Sequence, residues 1–142
     1  NIIKLKQKKI NLIDESYNSN PLSLQFAINK FNSLNTKSSR KLILLGDMLE
    51  LGKYSKKLHI EAAHYINATQ IDKVYVYGKE VIKTFNKIKP QKRGKILSSK
   101  KDILNFIIND IKNREYLMIK GSNSTGLNKI SQSLKAGKIN AF

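Results

Sequence analysis

The chain has 142 residues, 40% of them hydrophobic, enough for one domain with its own core; it has no cysteine, which excludes disulfides and thiolate metal sites. Its apolar runs fall far short of the roughly 18 residues that a membrane-spanning helix needs, and the start, "NIIKLKQKK", lacks the apolar segment of a secretory signal. The formal charge of +17 raises nucleic-acid binding, but 24 Lys stand against 3 Arg, the residue suited to bidentate phosphate and base contacts, and the lysines are scattered, so a solvated basic surface is the better reading.

In chain order, "NIIKLK" can form an antiparallel edge strand that turns near Gln7–Lys9 into a second strand, "KINLIDE" (Lys9–Glu15). A helix starts at Pro21, a favoured first-turn residue, with Asn20 as its cap. Its apolar stripe is Leu24, Ala27, Ile28, Phe31 and Leu34. "KLILLG" (Lys41–Gly46) is continuously apolar, as a strand buried on both faces is. The spacing predicts a second helix over about Ser55 to Thr69, with Leu58, Ala62 and Ile66 inward. "KVYVYG" (Lys73–Gly78) is another buried strand, followed by a helix around Glu80–Ile88, a turn at "KPQKRG" and a weak strand at "KILSS". "DILNFIINDI" (Asp102–Ile111) reads as an amphipathic helix, "YLMIKG" (Tyr116–Gly121) as a buried strand. A last helix carries Leu127, Ile130 and Leu134, with a frayed tail after it. Strands apolar on both faces, alternating with helices, argue for an α/β fold. The sheet is open and mostly parallel, with helices on both faces.

In such sheets ligands sit beyond the carboxyl ends of the strands. Three of those ends are polar and glycine-bearing: "DESYNSNP", "GDMLELG" and "KGSNSTG". In the first, Asn20 and Pro21 are explained by helix capping and Asn18 by the turn, but Asp14, Glu15 and Tyr17 are not. Adjacent carboxylates at a buried strand's end repel unless exposed or partnered, and a tyrosine offers a flat face and a hydroxyl for stacking or lining a pocket. In the second, Asp47 and Glu50 either face an ammonium group, order the loop, or are plain surface acids. In the third, Lys120 and Ser122 with backbone N–H groups before a helix suit an anion, carboxylate or phosphate. The GxxxxGK[ST] and GxGxxG patterns are absent. His59 and His64 are five apart, about 140° around a helix, and cannot share a metal as an i,i+4 pair could.

These segments, in this order, resemble the C-terminal domain of the Mur ligases, and among them the ligases that add D-alanyl-D-alanine to UDP-N-acetylmuramoyl-tripeptide. "LIDESYNSNP" is similar to that family's (I/L)-(D/N)-D-(S/A/C)-Y-N-A-N-P signature. "LLGDMLELG" resembles its V-L-G-D-M-L-E-L-G segment, which distinguishes it from sister ligases such as folylpolyglutamate synthetase. "MIKGSNSTGLNKI" resembles its V-K-G-S segment, and His59 falls where the family usually has a histidine. The resemblance implies a Rossmann-like domain spanning 1–142, one of three in a longer cytoplasmic enzyme of peptidoglycan synthesis; the UDP-sugar and central ATP-binding domains are absent, and the chain opens on Asn1. It implies ATP and Mg2+ as cofactors of the whole enzyme, neither held firmly by this domain. UDP-N-acetylmuramoyl-tripeptide, D-alanyl-D-alanine, ATP and the central domain of the same chain are the implied partners, with no membrane or nucleic acid among them. Asp14, Glu15, Tyr17, Asn18 and Asn20 would form a nucleotide-facing loop, and Asp47, Glu50, Lys120 and Ser122 the dipeptide side. No catalytic or metal-binding residue is expected here, and the domain alone would be inactive. The family usually has Asp where Glu15 stands; either Glu15 reaches the same partner through a shifted backbone, or Asp14 substitutes.

Overall fold

A computed structural model describes residues 1–5 and 7–138. Its strands are β1 (Ile2–Lys4), β2 (Lys9–Glu15), β3 (Lys41–Gly46), β4 (Lys73–Tyr77), β5 (Arg93–Leu97) and β6 (Tyr116–Lys120). They form one sheet in the order β1-β2-β6-β3-β4-β5. β1 pairs antiparallel with β2 and every other neighbouring pair is parallel, so the expected edge strand and the mostly parallel sheet are both present. β6, last in sequence, is inserted between β2 and β3. All six residues of β3 are buried, which is why that strand reads as unbroken hydrophobicity rather than as an alternation.

The helices are α1 (Pro21–Asn32), α2 (Ser55–Asn67), α3 (Ile82–Phe85), α4 (Lys100–Asn105) and α5 (Leu127–Lys135). One face of the sheet packs Ile43, Leu45, Val74, Val76 and Met118 against Leu24, Ile28 and Phe31 of α1 and Ala62 and Ile66 of α2. The opposite face packs Leu12, Leu42, Leu44, Leu117 and Ile119 against Ile103 of α4 and Leu127, Ile130 and Leu134 of α5. Strand alternation thus feeds two separate cores, each burying whole aliphatic side chains at about 1.5–3 kcal/mol apiece.

Several expected elements differ in extent. α1 ends at Asn32, where the cap N–H of Ser33 returns to Asn29 O, so Leu34 lies beyond the helix and is 38% exposed. α2 ends at Asn67, and its buried face holds His59 and Ala63 beside Ala62 and Ile66, with Leu58 only half-buried. The helix expected over Glu80–Ile88 is the single turn α3. β5 starts at Arg93, two residues before "KILSS". The expected helix over Asp102–Ile111 begins earlier, at Lys100, and converts at Phe106–Asp110 to a π-turn in which Ile111 N–H bonds Phe106 O. The wider turn keeps Phe106 and Ile107 buried and sets the Phe106 ring against Tyr75, with ring centroids 4.0 Å apart. The frayed tail expected after Leu134 falls in part on 139–142, outside the described residues; α5 itself runs to Lys135.

Candidate functional site

The strand order decides where the polar loops meet. β2, β6 and β3 are adjacent and parallel, and their registers align Glu15 with Lys120 and Lys120 with Leu45 in one transverse row. The three loops that follow therefore leave the sheet from the same carboxyl rim. Side chains tie them together. Lys120 Nζ donates to the Asn18 carbonyl at 2.5 Å. Ser122 Oγ lies 3.5 Å from the carbonyl oxygens of both Ser19 and Asp47, so one hydroxyl touches all three loops.

Glycine makes this convergence possible. A Cβ on Gly46, the last residue of β3, would come within 2.8 Å of Leu127 Cδ1, and one on Gly121 within 3.1 Å of the same methyl and of Thr125 Oγ1. Bare backbone at both strand tips lets the first turn of α5 sit directly on the rim. Beside it, a cavity of about 110 Å3 is lined by Tyr77, Lys100, Thr125, Gly126 and Lys129.

The structure separates the roles of the residues named from sequence. Asp14 and Glu15 do not form a pair, because successive side chains of a strand point to opposite faces. Asp14 accepts from Lys135 Nζ of α5 at 2.5 Å, from Ser16 N–H at 3.0 Å and from Ser16 Oγ at 2.5 Å. Burial opposes its charge, but the bonds from Lys135 and Ser16 outweigh it and hold the carboxyl below the ordinary aspartate value. Glu15 lies on the α1 face beside a groove with Ile13, Lys30, Phe31 and Leu34. Of the two carboxylates, Asp14 is engaged within the domain and Glu15 is the one beside Lys120. Lys120 is 3% exposed; burial lowers its pKa, and the nearby Glu15 charge acts the other way.

Asn20 caps α1 in a reciprocal capping box: its Oδ1 accepts from Ser23 N–H at 2.9 Å, while its own N–H donates to Ser23 Oγ at 3.0 Å. Tyr17 is 64% exposed, and Asn18 is exposed beside it while its carbonyl holds Lys120. Asp47 orders a loop, one of the roles left open by the sequence: Oδ1 accepts from Val81 N–H at 2.7 Å and Oδ2 from Lys79 N–H at 3.2 Å. Glu50 is exposed, at a φ of 62° that shapes the turn.

His59 has a role that the sequence reading did not assign. It is 1% exposed. Its Nε2 accepts from Met48 N–H at 3.1 Å, and Nδ1 lies 2.8 Å from Ser55 O. These partners require the neutral ring with its proton on Nδ1. The imidazole thus pins the loop after β3 to α2. Nothing in local spacing marks a bond between positions 48 and 59. His64 is exposed on another side of the helix.

A cavity of about 510 Å3 lies among Leu5, Gln7, Lys8, Ile108, Ile111 and Asn113. Lys8 and Asn113 precede β2 and β6, so it lies toward the amino ends of those strands, away from the rim. No group of three or more His, Asp or Glu is placed to hold a metal ion among the described residues, and no helix among them is long and apolar enough to cross a membrane.

Comparison with known proteins adds to this geometry. The family model described as "Mur ligase, glutamate ligase domain" matches residues 2–123. The UDP-N-acetylmuramoyl-tripeptide--D-alanyl-D-alanine ligase of Bacillus subtilis is 30% identical over 132 residues, covering 88% of this chain and 28% of the relative. The ligase of the same name from Buchnera aphidicola is 32% identical over 137 residues, covering 93% and 28%. The chain thus spans little more than a quarter of these relatives. In fold, it superposes on a MurF ligase from Thermotoga maritima solved in complex with ADP, with a TM-score of 0.74 at 22% identity, over 100% of this chain and 31% of that one. MurF from Acinetobacter baumannii gives 0.74 at 23% identity, over 99% and 29%.

Proposed function

The chain belongs to the Mur ligase family, as its glutamate ligase domain, and from that premise we propose that it is the C-terminal domain of an ATP-dependent ligase joining D-alanyl-D-alanine to UDP-N-acetylmuramoyl-tripeptide in the cytoplasm. The observation that carries this reading is the meeting of the loops after β2, β6 and β3 at one rim, bridged by Lys120 and Ser122. That rim is half a cleft, and a preceding ATP-binding domain would supply the other half. In the reaction, the tripeptide carboxylate takes the γ-phosphoryl group of ATP and releases ADP; the dipeptide amine then attacks the acyl phosphate, loses a proton and expels phosphate.

This chain's part is positioning rather than bond chemistry. Tyr17 and Glu15 border the nucleotide side, Tyr17 with its free aromatic face. Asn18 and Asn20 give the loop its shape. Lys120, Ser122 and the start of α5 form the anion-attracting side toward the dipeptide carboxylate. Asp47 acts by holding the 79–81 loop, and Glu50 stands exposed at the same rim. Magnesium, which would neutralise phosphate charge in the whole enzyme, has no matching donor set among the described residues.

The test uses the longer polypeptide that contains this chain. Phosphate release should require ATP, UDP-N-acetylmuramoyl-tripeptide and D-alanyl-D-alanine together. The 142-residue chain alone should show no turnover. Release driven by a single amino acid in place of the dipeptide would instead assign the chain to a sister ligase.

A further inference from the structure

We propose that Glu80 is a positioning residue for the dipeptide side of the rim: through the Ser55 hydroxyl it keeps the ring proton of His59 on Nδ1, so that Nε2 holds Met48 N–H and with it the loop Asp47–Glu50. The inference rests on the reading above that this loop faces the dipeptide. It adds to the rim a fourth loop, 78–81 after β4, which the sequence reading did not name as part of the site.

The relay begins in the loop after β4. There Glu80 Oε1 accepts from Ser55 Oγ, at the start of α2, at 2.9 Å. That bond, and after it the contact with Lys83 Nζ at 3.1 Å, hold the Glu80 carboxyl below the ordinary glutamate value, so at neutral pH it only accepts. A hydroxyl has a single hydrogen to give, and here Glu80 takes it. Toward His59 Nδ1, 3.2 Å away, Ser55 Oγ presents a lone pair. The backbone oxygen of Ser55 presents another at 2.8 Å. Both call for a donor, and Nδ1 carries the proton. Nε2 is left bare, 3.1 Å from Met48 N–H. His59 is 1% and Met48 3% exposed, so a bond lost between them leaves a buried donor unpaired.

Removing the Glu80 carboxylate frees the Ser55 hydrogen to turn toward Nδ1. A ring that accepts it carries its own proton on Nε2, where it meets Met48 N–H donor to donor. The loop after β4 thus acts on residue 48 through the imidazole, and it holds residue 47 directly. Val81 N–H donates to Asp47 Oδ1 at 2.7 Å and Lys79 N–H to Asp47 Oδ2 at 3.2 Å. The bare Cα of Gly78 leaves room for that carboxylate, since a Cβ there would come within 2.4 Å of Oδ1. Thr84 Oγ1 donates to His59 O at 2.6 Å and ties the next turn to the same histidine. Two successive residues of the dipeptide-side loop therefore take their positions from one short stretch, 78–84.

The chain has two histidines, so nitrogen NMR of the imidazoles resolves His59 and reads its tautomer. In the 142-residue chain, Glu80→Ala should populate the Nε2–H tautomer of His59 and speed exchange of the Met48 amide about 3- to 10-fold, the worth of one net hydrogen bond. Glu80→Gln keeps an acceptor for the hydroxyl and should leave both signals at their wild-type values. Ser55→Ala removes the hydroxyl that supplies the competing hydrogen, and in that background Glu80→Ala should have no further effect on the ring. An unchanged tautomer and an unchanged Met48 amide in Glu80→Ala overturn the proposal. So does a Glu80→Gln protein that behaves like Glu80→Ala, which would place the effect in the ion pair with Lys83. In the longer polypeptide, Glu80→Ala should raise the KM for D-alanyl-D-alanine about 3- to 10-fold and leave kcat and the KM for ATP little changed. If ring and amide respond but the KM for ATP rises instead, the relay stands and the assignment of this loop to the dipeptide falls. If the wild-type polypeptide shows no ligation, the function falls and the NMR measurements still decide the relay.

Discussion

Replacing Lys120 with methionine separates two roles for that side chain, a strut between loops and a charge kept for a ligand. The aliphatic stem is buried and methionine fills nearly the same volume, so no cavity term is added. The lost bond to the Asn18 carbonyl is worth about 1.5–3 kcal/mol by comparison with other hydrogen bonds to charged groups. Two effects offset it. Asn18 is exposed, so its carbonyl regains water. Burial also disfavours the ammonium, as its lowered pKa records, and that penalty disappears with the charge. The net loss in Lys120→Met should be about 1 kcal/mol or less, measured by urea unfolding of the 142-residue chain at pH 7. The pH dependence adds a signed test. A lysine whose pKa is lower folded than unfolded binds fewer protons folded, so stability rises with pH as Lys120 passes its folded pKa on the way to the unfolded value of 10.5. Lys8 and Lys92 are shifted the same way, mainly by burial, but they are common to both proteins. The wild-type advantage over Lys120→Met should therefore grow toward alkaline pH through Lys120 alone. A loss above about 3 kcal/mol at pH 7, or a difference that does not grow with pH, would refute this reasoning.

Three further substitutions probe the supports of the rim. Gly78→Ala forces a side chain onto a residue with φ of 146° and brings its Cβ within 2.4 Å of Asp47 Oδ1; thermal unfolding should register a loss of about 2–4 kcal/mol from strain and the lost Asp47 bonds. His59→Leu keeps the bulk but strands the buried Met48 N–H; a loss of about 2 kcal/mol should come with faster exchange of the Met48 amide, and unchanged exchange would mean that the imidazole is not its partner. Lys135→Met removes the ion pair on Asp14, one of whose partners is 36% exposed; after discounting for screening, about 0.5–1 kcal/mol should be lost at neutral pH. Because the Asp14 pKa is lowered by that pair and by Ser16, the stabilisation is present above the ordinary value of 3.8 and vanishes as pH falls through the folded pKa, so the acid unfolding curves of the two proteins should converge.

Much of the fold could be read from periodicity, because its causes are local. The buried strands announce themselves as apolar runs, and α1 by Asn20, Pro21 and the spacing of Leu24, Ala27, Ile28 and Phe31. The errors fall where tertiary contacts override local pattern. "FIIND" has helical apolar spacing, yet it widens to a π-turn with Phe106 against Tyr75. Leu34 keeps the stripe's spacing after the backbone has already left the helix.

The site was legible as a set of loops but not as a set of contacts, and the strand order is the reason. Whether Lys120 reaches Asn18 depends on β6 sitting between β2 and β3, a long-range choice that no window of sequence encodes. The same insertion brings α5 over the rim, so that Lys135 meets Asp14 across 121 positions of chain. Adjacent acids in sequence then become residues of opposite faces: Asp14 holds α5, and Glu15 alone of the two stands next to Lys120 at the rim. An acidic pair in the sequence thus resolves into one structural and one available carboxylate.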